Sequence, residues 1–352
     1  MPTPNSAPTH CVNGEVERFG GTEQEWDSFV SAQEGFTHFH QLRWRALIER
    51  VFRHECLYLA ARDWDGALVG VLPLVRVRSF VFGHYLVSMP FLNYGGPLGT
   101  YAGVRAVVDE AIAIGQREKV KLLELRSRFP LPVSIPASHR KITVVLELAE
   151  TCEAQFERFD AKLRSQIRRS RKNGVMVRFG TDQVAPFFEV FARHMRDLGT
   201  PAQPLTLFRE LAKQFPDDCW FACAYLGARP VAAGCGFRFG SEFEMTWASS
   251  LRAYNRQAPN MLLYWACMER AIGEGITRFN FGRCTPGTGS HRFKLQWGGR
   301  EESLWWYDFA AKSDVTTPSP SDGPFRFGPR VWRRLPAAIA SAFGPLIVRN
   351  IP

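Results

Sequence analysis

The same order of predicted elements occurs twice along this chain: helices, a hairpin, further strands and a helix. In the first half, a strand at residues 57–62 leads into Asp65-Gly66, a dipeptide that favours a tight hairpin turn. In the second half, a strand that begins at Trp220 turns at Gly227 and also returns as a strand. Because strands and helices follow the same order in both halves, we predict two related α/β domains in tandem.

The length of the chain agrees with two domains. At 352 residues it exceeds the size at which a single hydrophobic core keeps growing. Apolar residues are 45% of the total and charged residues 22%, which excludes a chain too polar to bury a core. We predict four parts: a disordered leader at residues 1–14, a first domain at 15–150, a second domain carrying the active segment at 151–312, and a linker with a basic amphipathic tail at 313–352.

The charge balance favours an anionic partner. The net charge is +10, which suits nucleic acid, a nucleotide-linked substrate or an acidic membrane face without choosing among them. The sequence contains no run of eighteen apolar residues, so no membrane-spanning helix is predicted. The first thirty residues also lack the pattern of a signal peptide. We therefore expect a cytoplasmic location.

The eight cysteines are scattered, with no Cys-x-x-Cys pair. Without an export signal, we predict reduced thiols rather than disulfides. Cys219 and Cys223 fall in an apolar strand with no histidine at ligand spacing, so we predict buried thiols and no metal site.

A basic helix is predicted at residues 159–174. Phe159, Leu163 and Ile167 recur every four positions, and Asn173-Gly174 is a typical helix end. The face is either solvated or a docking surface for phosphates, with Arg164, Arg168 and Lys172 as candidate contacts. The basic residues in and beside the helix are Arg158, Lys162, Arg164, Arg168, Arg169, Arg171 and Lys172.

A strand, a polar loop and an apolar helix are predicted between residues 243 and 272. The amino terminus of that helix suits a phosphate or a carboxylate, because its N–H groups are free. Asn260 is a candidate N-cap that also qualifies as a substrate contact. Trp247 and Tyr254 are either core aromatics or substrate contacts.

The segment 276–299 is predicted as a strand, a glycine-rich loop at 282–289 and a second strand at 291–297. Alternation places Lys294 among aromatic neighbours, where it either reaches the surface or acts as a cation held in a cleft. His291 is either an ordinary loop residue or a proton acceptor.

Several motifs in this order resemble the FemAB-like proteins of the GNAT superfamily, and the resemblance covers nearly the whole chain. The ending of the chain resembles the branch found with exosortase/PEP-CTERM exopolysaccharide systems. The matching segments are Asn93-Tyr94-Gly95-Gly96, the basic helix from Arg164 to Gly174, Gly199-Thr200-Pro201, Ala258-Pro259-Asn260, Phe281-Gly282-Arg283, Phe293-Lys294, Trp297-Gly298, Trp332-Arg333-Arg334-Leu335-Pro336 and Gly344-Pro345-Leu346-Ile347.

The resemblance implies two tandem GNAT-like (acyl-CoA N-acyltransferase-like) domains, each a mixed sheet flanked by helices. It also implies transfer of an acyl or aminoacyl group to an amine of a cell-envelope or exopolysaccharide precursor. In that reaction Lys294 supplies positive charge, Phe293 shapes the acyl pocket, Arg283 binds an anion and Tyr94 contacts substrate. Asn280 departs from the resemblance, since an acidic residue is expected there.

Two donors fit the resemblance, aminoacyl-tRNA and acyl-CoA, and neither is a permanently bound cofactor. Residues 256–260 contain no glycine and include a proline without an N–H, which disfavours the usual coenzyme A loop. No serine or cysteine triad spacing stands out, so direct attack by the amine in a ternary complex is expected.

A third alternative is a non-catalytic interaction protein of a polysaccharide assembly system. The tail from residue 313 either packs on the second domain or makes peripheral contact with the inner face of the membrane. Its predicted apolar stripe is Trp332, Leu335, Ile339 and Phe343.

Overall fold

The computed structural model describes residues 12–79, 83–134, 136–310 and 328–351. The described chain forms two compact units that divide between His139 and Arg140 and again between Ser303 and Leu304. Residues 1–11 of the predicted leader lie outside the described residues. Residues 12–14 belong to a strand, so that part of the predicted leader is wrong.

The first unit is built on a mixed sheet with α3 against it. The strand order is β1-β2-β3-β4-β6-β14, with β5 paired to β3, and only β4 and β6 run parallel among these described strands. Its elements are β1 (Val12–Arg18), α1 (Glu23–Ser31), a 3₁₀ turn (His38–His40), α2 (Arg43–Phe52), β2 (Glu55–Asp63), β3 (Leu68–Ser79), β4 (Gly83–Ser88), β5 (Leu98–Gly99), α3 (Tyr101–Arg117), β6 (Leu122–Ser127) and β14 (Trp305–Ala310).

The predicted hairpin of the first unit is confirmed. Asp65-Gly66 forms the turn between β2 and β3, with Gly66 at φ 84°, a left-handed value that glycine adopts without strain. Gly70 in β3 and Gly103 in α3 bring strand and helix together. A Cβ on Gly70 would lie 2.3 Å from the carbonyl carbon of Gly103, so only glycine allows this approach.

The second unit repeats this arrangement, and its strand order is β8-β9-β10-β11-β12-β7-β13. Here β11 and β12 are the parallel pair. Its elements are β7 (Ile142–Glu147), α4 (Cys152–Arg158), α5 (Ala161–Lys172), β8 (Val175–Phe179), a 3₁₀ turn (Thr181–Gln183), α6 (Val184–Leu198), α7 (Leu205–Gln214), β9 (Cys219–Leu226), β10 (Arg229–Phe239), β11 (Glu242–Ser250), a 3₁₀ turn (Arg252–Gln257), α8 (Pro259–Gly273), β12 (Arg278–Cys284), α9 (Gly289–Leu295), β13 (Arg300–Ser303), α10 (Gly328–Trp332) and α11 (Ala337–Val348).

Six strands of the two sheets match in order, β1-β2-β3-β4-β6-β14 with β8-β9-β10-β11-β12-β7, so the prediction of two tandem α/β units with mixed sheets flanked by helices is confirmed. Two predicted boundaries differ: the second unit begins at Arg140 rather than at residue 151, and its main segment ends at Ser303 rather than at residue 312. β7 pairs with β12 in the second sheet, and β14 pairs with β6 in the first. Along the chain, β7 follows the parallel pair of the first sheet but joins the second sheet, and β14 follows the parallel pair of the second sheet but joins the first. Local patterning does not reveal such an arrangement.

The core of the second unit lies between its sheet and the helices α5 and α8. The predicted basic helix is α5, which begins at Ala161, so Phe159 lies just before it at the end of α4. The predicted stripe is buried: Phe159 is 4% exposed, Leu163 2% and Ile167 0%. The thiols of Cys219 and Cys223 are free and buried within β9, as predicted. Within the described ranges no helix has the length and apolar character needed to cross a bilayer, and no group of side chains suits a metal ion.

Candidate active site

A cavity of about 600 Å³ opens in the second unit where two parallel strands part. β11 and β12 pair only from Glu242 to Glu244 on one strand and from Arg278 to Asn280 on the other. Beyond these pairs the strands diverge, and their following residues line the cavity together with residues of α8 and α9. Strand ends that separate in this way leave backbone N–H and C=O groups available to a ligand.

The wall of the cavity is cationic. Arg252, Arg283 and Lys294 line it, and no carboxylate is found among the described lining residues. Hydroxyl and amide side chains complete the polar part of the wall: Thr246, Ser249, Ser250, Asn255, Asn260 and Ser290. Such a wall suits an anionic ligand whose charge the arginines and the lysine neutralise.

Lys294 lies on a helix, so the predicted strand at residues 291–297 is wrong. α9 begins after Thr288, whose hydroxyl accepts a hydrogen bond from the His291 N–H at 3.3 Å. This cap satisfies one of the free N–H groups of the first turn, a local effect that outweighs the alternation of apolar residues. The helix directs Lys294 back to the end of β12.

The Lys294 ammonium is held by backbone carbonyls. Its Nζ donates hydrogen bonds to the oxygen of Gly282 and, at 3.0 Å, to that of Arg283. Gly282 has φ 71°, a left-handed value that interrupts the ladder between β12 and β7 and leaves these oxygens for Lys294. An ammonium group has three N–H donors, so one remains for a bound group.

Burial makes Lys294 an unusual lysine. The residue is 7% exposed, and desolvation lowers the pKa of its ammonium to about 8, against the opposing influence of Cys284 and Glu244. The group is therefore a cation at neutral pH that still exchanges a proton readily. A buried cation beside a cavity is a costly feature that function explains better than stability does.

Phe293 forms the apolar part of the wall. Its ring lies 5.0 Å from that of Tyr264 in an edge-on arrangement, and both residues line the cavity. Phe281 lines it as well and stacks on Tyr264 at 5.6 Å. The cavity thus has an aromatic side next to the Lys294 ammonium.

His194 lines the same cavity and was missed in the sequence analysis. It lies on the last turns of α6, and no described group hydrogen-bonds to its buried Nδ1. Burial, followed by the charge of Arg252, lowers its pKa below the ordinary value of 6.5. The imidazole is therefore neutral at pH 7 and able to accept a proton. No local motif marks it, and only the position of α6 in the fold brings it to the site.

The amino terminus of α8 differs from the prediction. Asn260 is not the N-cap; the cap position is Ala258, with φ 52°, and Pro259 is the first helical residue. Pro259 fits there because the first N–H of a helix has no partner within the helix. Asn260 lies in the first turn and lines the cavity.

Three predicted contacts do not line this cavity. Trp247 packs on Phe208, with ring centres 5.4 Å apart. The guanidinium of Arg229 lies 5.6 Å over the ring of Tyr254. Both ring nitrogens of His291 are engaged, since Nδ1 accepts the N–H of Gly287 at 3.0 Å and Nε2 lies 3.0 Å from the Glu301 carboxylate.

The basic helix α5 flanks α8. Arg171 forms an ion pair with Glu269 of α8 at 2.7 Å, and the guanidinium of Arg168 lies 5.2 Å over the ring of Phe156. Arg164 is half-buried, and its Nε has no hydrogen-bond partner in the described chain. Lys172 is exposed. None of these side chains lines the cavity.

Tyr94 belongs to the first unit and lines a separate cavity of about 240 Å³ there. The tyrosine is 1% exposed, and the guanidinium of Arg128 lies 5.4 Å over its ring. Gly95 and Gly96 follow it along the same cavity wall. This loop is thus a second concave site, of polar and aromatic character.

Asn280 is part of the scaffold beneath the cavity. The residue is fully buried, and its Nδ2 donates to Glu242 at 2.8 Å. Its Oδ1 accepts from the Thr143 hydroxyl at 2.5 Å and from the Gly282 N–H at 2.8 Å. The amide therefore joins β7, β11 and β12 and steadies the glycine whose carbonyl binds Lys294.

Comparisons with known proteins bear on the fold and on the second unit. Residues 157–295 match the family model of the acetyltransferase (GNAT) domain. No curated protein sequence matches the chain. The solved structure of FemX is similar over 84% of this chain and 97% of its own, with a TM-score of 0.63 and 14% identity.

Two further solved structures share the fold. One is the C-terminal domain of a putative lysylphosphatidylglycerol synthetase from Agrobacterium fabrum, with a TM-score of 0.54 and 11% identity over 80% of this chain and 90% of its own. The other is L-PGS from Bacillus licheniformis, with a TM-score of 0.53 and 10% identity over 95% of this chain and 98% of its own. The chain thus contains a segment, residues 157–295, that matches the GNAT acetyltransferase domain model, and its overall fold is similar to that of FemX.

Proposed function

We propose that this protein is an N-acyltransferase that moves an acyl or aminoacyl group from an anionic donor to an amine by direct attack. The observation that carries the proposal is the cationic cavity in the GNAT domain, with Lys294 buried beside the aromatic wall of Phe293. The arginines at its rim attract the donor, and the ammonium stabilises the negative charge that develops on the acyl oxygen or leaving group.

The reaction requires balanced proton movements. The neutral amine attacks the acyl carbonyl carbon, a C–N bond forms, and the bond to the leaving oxygen or sulfur breaks. One proton passes from the attacking nitrogen to His194, and one passes from Lys294 to the leaving atom. Exchange with solvent then restores the neutral imidazole and the ammonium.

Aminoacyl-tRNA is the donor that we favour. The loop before α8 has no glycine to admit a pyrophosphate closely, and Ala258 occupies the left-handed cap position. The ion pair of Arg171 with Glu269 places the basic helix beside α8, nine residues from Asn260, or about 14 Å along the helix. Arg164, Arg168 and Lys172 on this helix would bind the tRNA backbone.

Acyl-CoA is the second candidate donor. The match of residues 157–295 to an acetyltransferase model favours it. Arg252 and Arg283 would then neutralise the phosphates in place of a glycine-rich loop.

The acceptor that we propose is an amine-bearing glycan or peptide precursor of the cell envelope or of an exopolysaccharide. The resemblance of the motifs to FemAB-like proteins supports it, and so does the likeness in fold to FemX. The Tyr94 cavity in the first unit is our candidate for the recognition of this precursor.

The test is a transfer assay with two donors and two acceptors. The full chain is incubated with radiolabelled aminoacyl-tRNA or acetyl-CoA, and with glucosamine oligosaccharides or a lysine-containing peptide. We expect label on an amine, sensitive to ribonuclease for the tRNA donor and lost in Lys294→Met. Transfer from acetyl-CoA alone would show that acyl-CoA, and not aminoacyl-tRNA, is the donor. The absence of transfer from both donors would refute the proposal.

A further inference from the structure

An exposed apolar patch lies on the carboxy-terminal helices of the second unit. Ten large apolar side chains are exposed in the described chain, and five of them fall between Val331 and Ile347. Leu198, at the end of α6, adjoins them, because Arg333 donates a hydrogen bond to its carbonyl oxygen at 3.1 Å. We name this surface the tail patch; its members are Leu198, Val331, Ile339, Phe343, Leu346 and Ile347.

The helix α11 has two adjacent apolar stripes, and only one of them is covered. The buried residues on the side that packs against α6 recur every four positions: Ala340, Gly344 and Val348. The members of the tail patch on this helix recur at i, i+4, i+7 and i+8: Ile339, Phe343, Leu346 and Ile347. This spacing gathers the exposed side chains on one face.

The exposure is too large to be incidental. Phe343 is 56% exposed, Leu346 58% and Val331 61%. Scattered apolar side chains are normal on a protein surface, but a group gathered on one helix face marks a contact with a partner or a membrane. The predicted stripe was partly right, since Ile339 and Phe343 belong to the patch. The stripe does not continue through Trp332 and Leu335, because α10 ends at Trp332 and the next helix, α11, begins only after Pro336.

The charge on the carboxy-terminal helices that carry most of the tail patch has one sign. Residues 328–351 contain no aspartate or glutamate. Their arginines, whose side chains reach several ångströms beyond the backbone, give this segment a charge of +4: Arg330, Arg333, Arg334 and Arg349. The phosphates of an anionic bilayer complement these arginines, because they attract a basic segment beside an apolar helix face.

We infer that the tail patch is a docking surface for an anionic lipid bilayer. The apolar side chains of α11 enter the boundary between headgroups and acyl chains, and the arginines remain at the level of the phosphates. Binding of this kind is peripheral and reversible, as expected for a short helix with a moderate apolar face. It would hold the enzyme at a membrane surface whether or not the proposed transfer reaction is correct.

The test is flotation of the full chain with vesicles of phosphatidylcholine, with and without phosphatidylglycerol. We expect binding only when the anionic lipid is present, and weakening by salt. Phe343→Ser with Leu346→Ser should reduce the partition coefficient about tenfold or more. Arg330→Ser with Arg334→Ser should reduce it by about fivefold for each arginine.

The matched control is Trp64→Ser, which removes a side chain that is 75% exposed on the hairpin of the first unit. This variant should float like the parent chain. All replaced side chains are exposed, so thermal unfolding should be unchanged. The inference is overturned if the chain does not float, if the control loses as much binding as the tail variants, or if light scattering shows a dimer that Phe343→Ser dissolves.

Discussion

The Lys294 ammonium donates a hydrogen bond to the backbone oxygen of Arg283, 3.0 Å away, at the point where β12 leaves its parallel partner. The side chain of Arg283 lines the same cavity. One residue thus supplies a carbonyl that fixes the lysine and a guanidinium for an anionic ligand. This coupling fixes the cation through backbone carbonyl oxygens, while the buried Glu244 carboxylate acts on it through its charge.

Replacements of Lys294 should distinguish the effect of its positive charge on kcat from the effect of its packing. We expect Lys294→Met to lower kcat of transfer by about 100-fold or more, because a preorganised cation is lost from the transition state. Lys294→Arg should retain part of the activity, since the charge remains. Arg292→Met on the same helix is the control, because Arg292 is exposed and does not line the cavity. Equal losses in Lys294→Met and Arg292→Met would argue against the catalytic role.

The lowered pKa of Lys294 has a consequence for stability. Its folded value of about 8 lies below the value of 10.5 for an unperturbed lysine, so the unfolded chain binds more protons between these pH values. The contribution of Lys294 to the free energy of unfolding should therefore rise with pH across this window, by about 3 kcal/mol in total. Below pH 8 it should be constant.

The measurement is denaturant unfolding of the parent chain and of Lys294→Met from pH 7 to 10.5. The difference between the two removes the titration of every other group. A difference that stays flat over the whole range would show that the lysine titrates at its ordinary value.

The sequence was informative where local rules decide the structure. The stripe of Phe159, Leu163 and Ile167 predicted α5, and Asp65-Gly66 predicted the first hairpin, because helix periodicity and turn chemistry act over a few residues. Phe293, Lys294, Asn260 and Arg283 were singled out by their patterns or by the resemblance, and all four line one cavity.

The rest depended on contacts between distant residues. The return of β14 to β6 joins residues far apart in the chain, and no local pattern encodes such a pairing. The helix α9 was taken for a strand because its apolar residues alternate over a short run, and its Thr288 cap decides otherwise. His194 reaches the site only through the position of α6.

His194 should control the acid side of the pH profile. A proton acceptor must be neutral, and burial holds its pKa below 6.5, so kcat should fall only as the pH drops below that value. His194→Gln should lower kcat by about 100-fold and remove this limb of the profile. Arg193→Gln is the matched control on the same turn, where the side chain is exposed. A limb that persists in His194→Gln would assign it to another group.

The basic helix α5 should contribute to tRNA binding, and this contribution should weaken as the salt concentration rises. We expect Arg168→Ser with Lys172→Ser to weaken binding of unfractionated tRNA about tenfold and to reduce the slope of log Kd against log salt by about one for each contact. The control is Arg209→Ser with Lys213→Ser on α7, which removes two exposed cations from another helix. Fluorescence anisotropy over a series of salt concentrations measures both effects. Identical slopes in the two double variants would mean that α5 is only a solvated face.

Asn280 should be essential to the scaffold although it occupies the place of an expected acid. In Asn280→Asp the hydrogen bond from Nδ2 to Glu242 is lost, and two buried carboxylates face each other across the former 2.8 Å contact. We expect a loss of about 3 kcal/mol in the free energy of unfolding at pH 7, because neither carboxylate has a donor for the other. The loss should shrink as the pH falls, since protonation of one carboxyl restores a donor. Asn173→Asp, at the exposed end of α5, should leave stability within about 0.5 kcal/mol of the parent value. A stable Asn280→Asp with raised transferase activity would instead make this position a site for a general base.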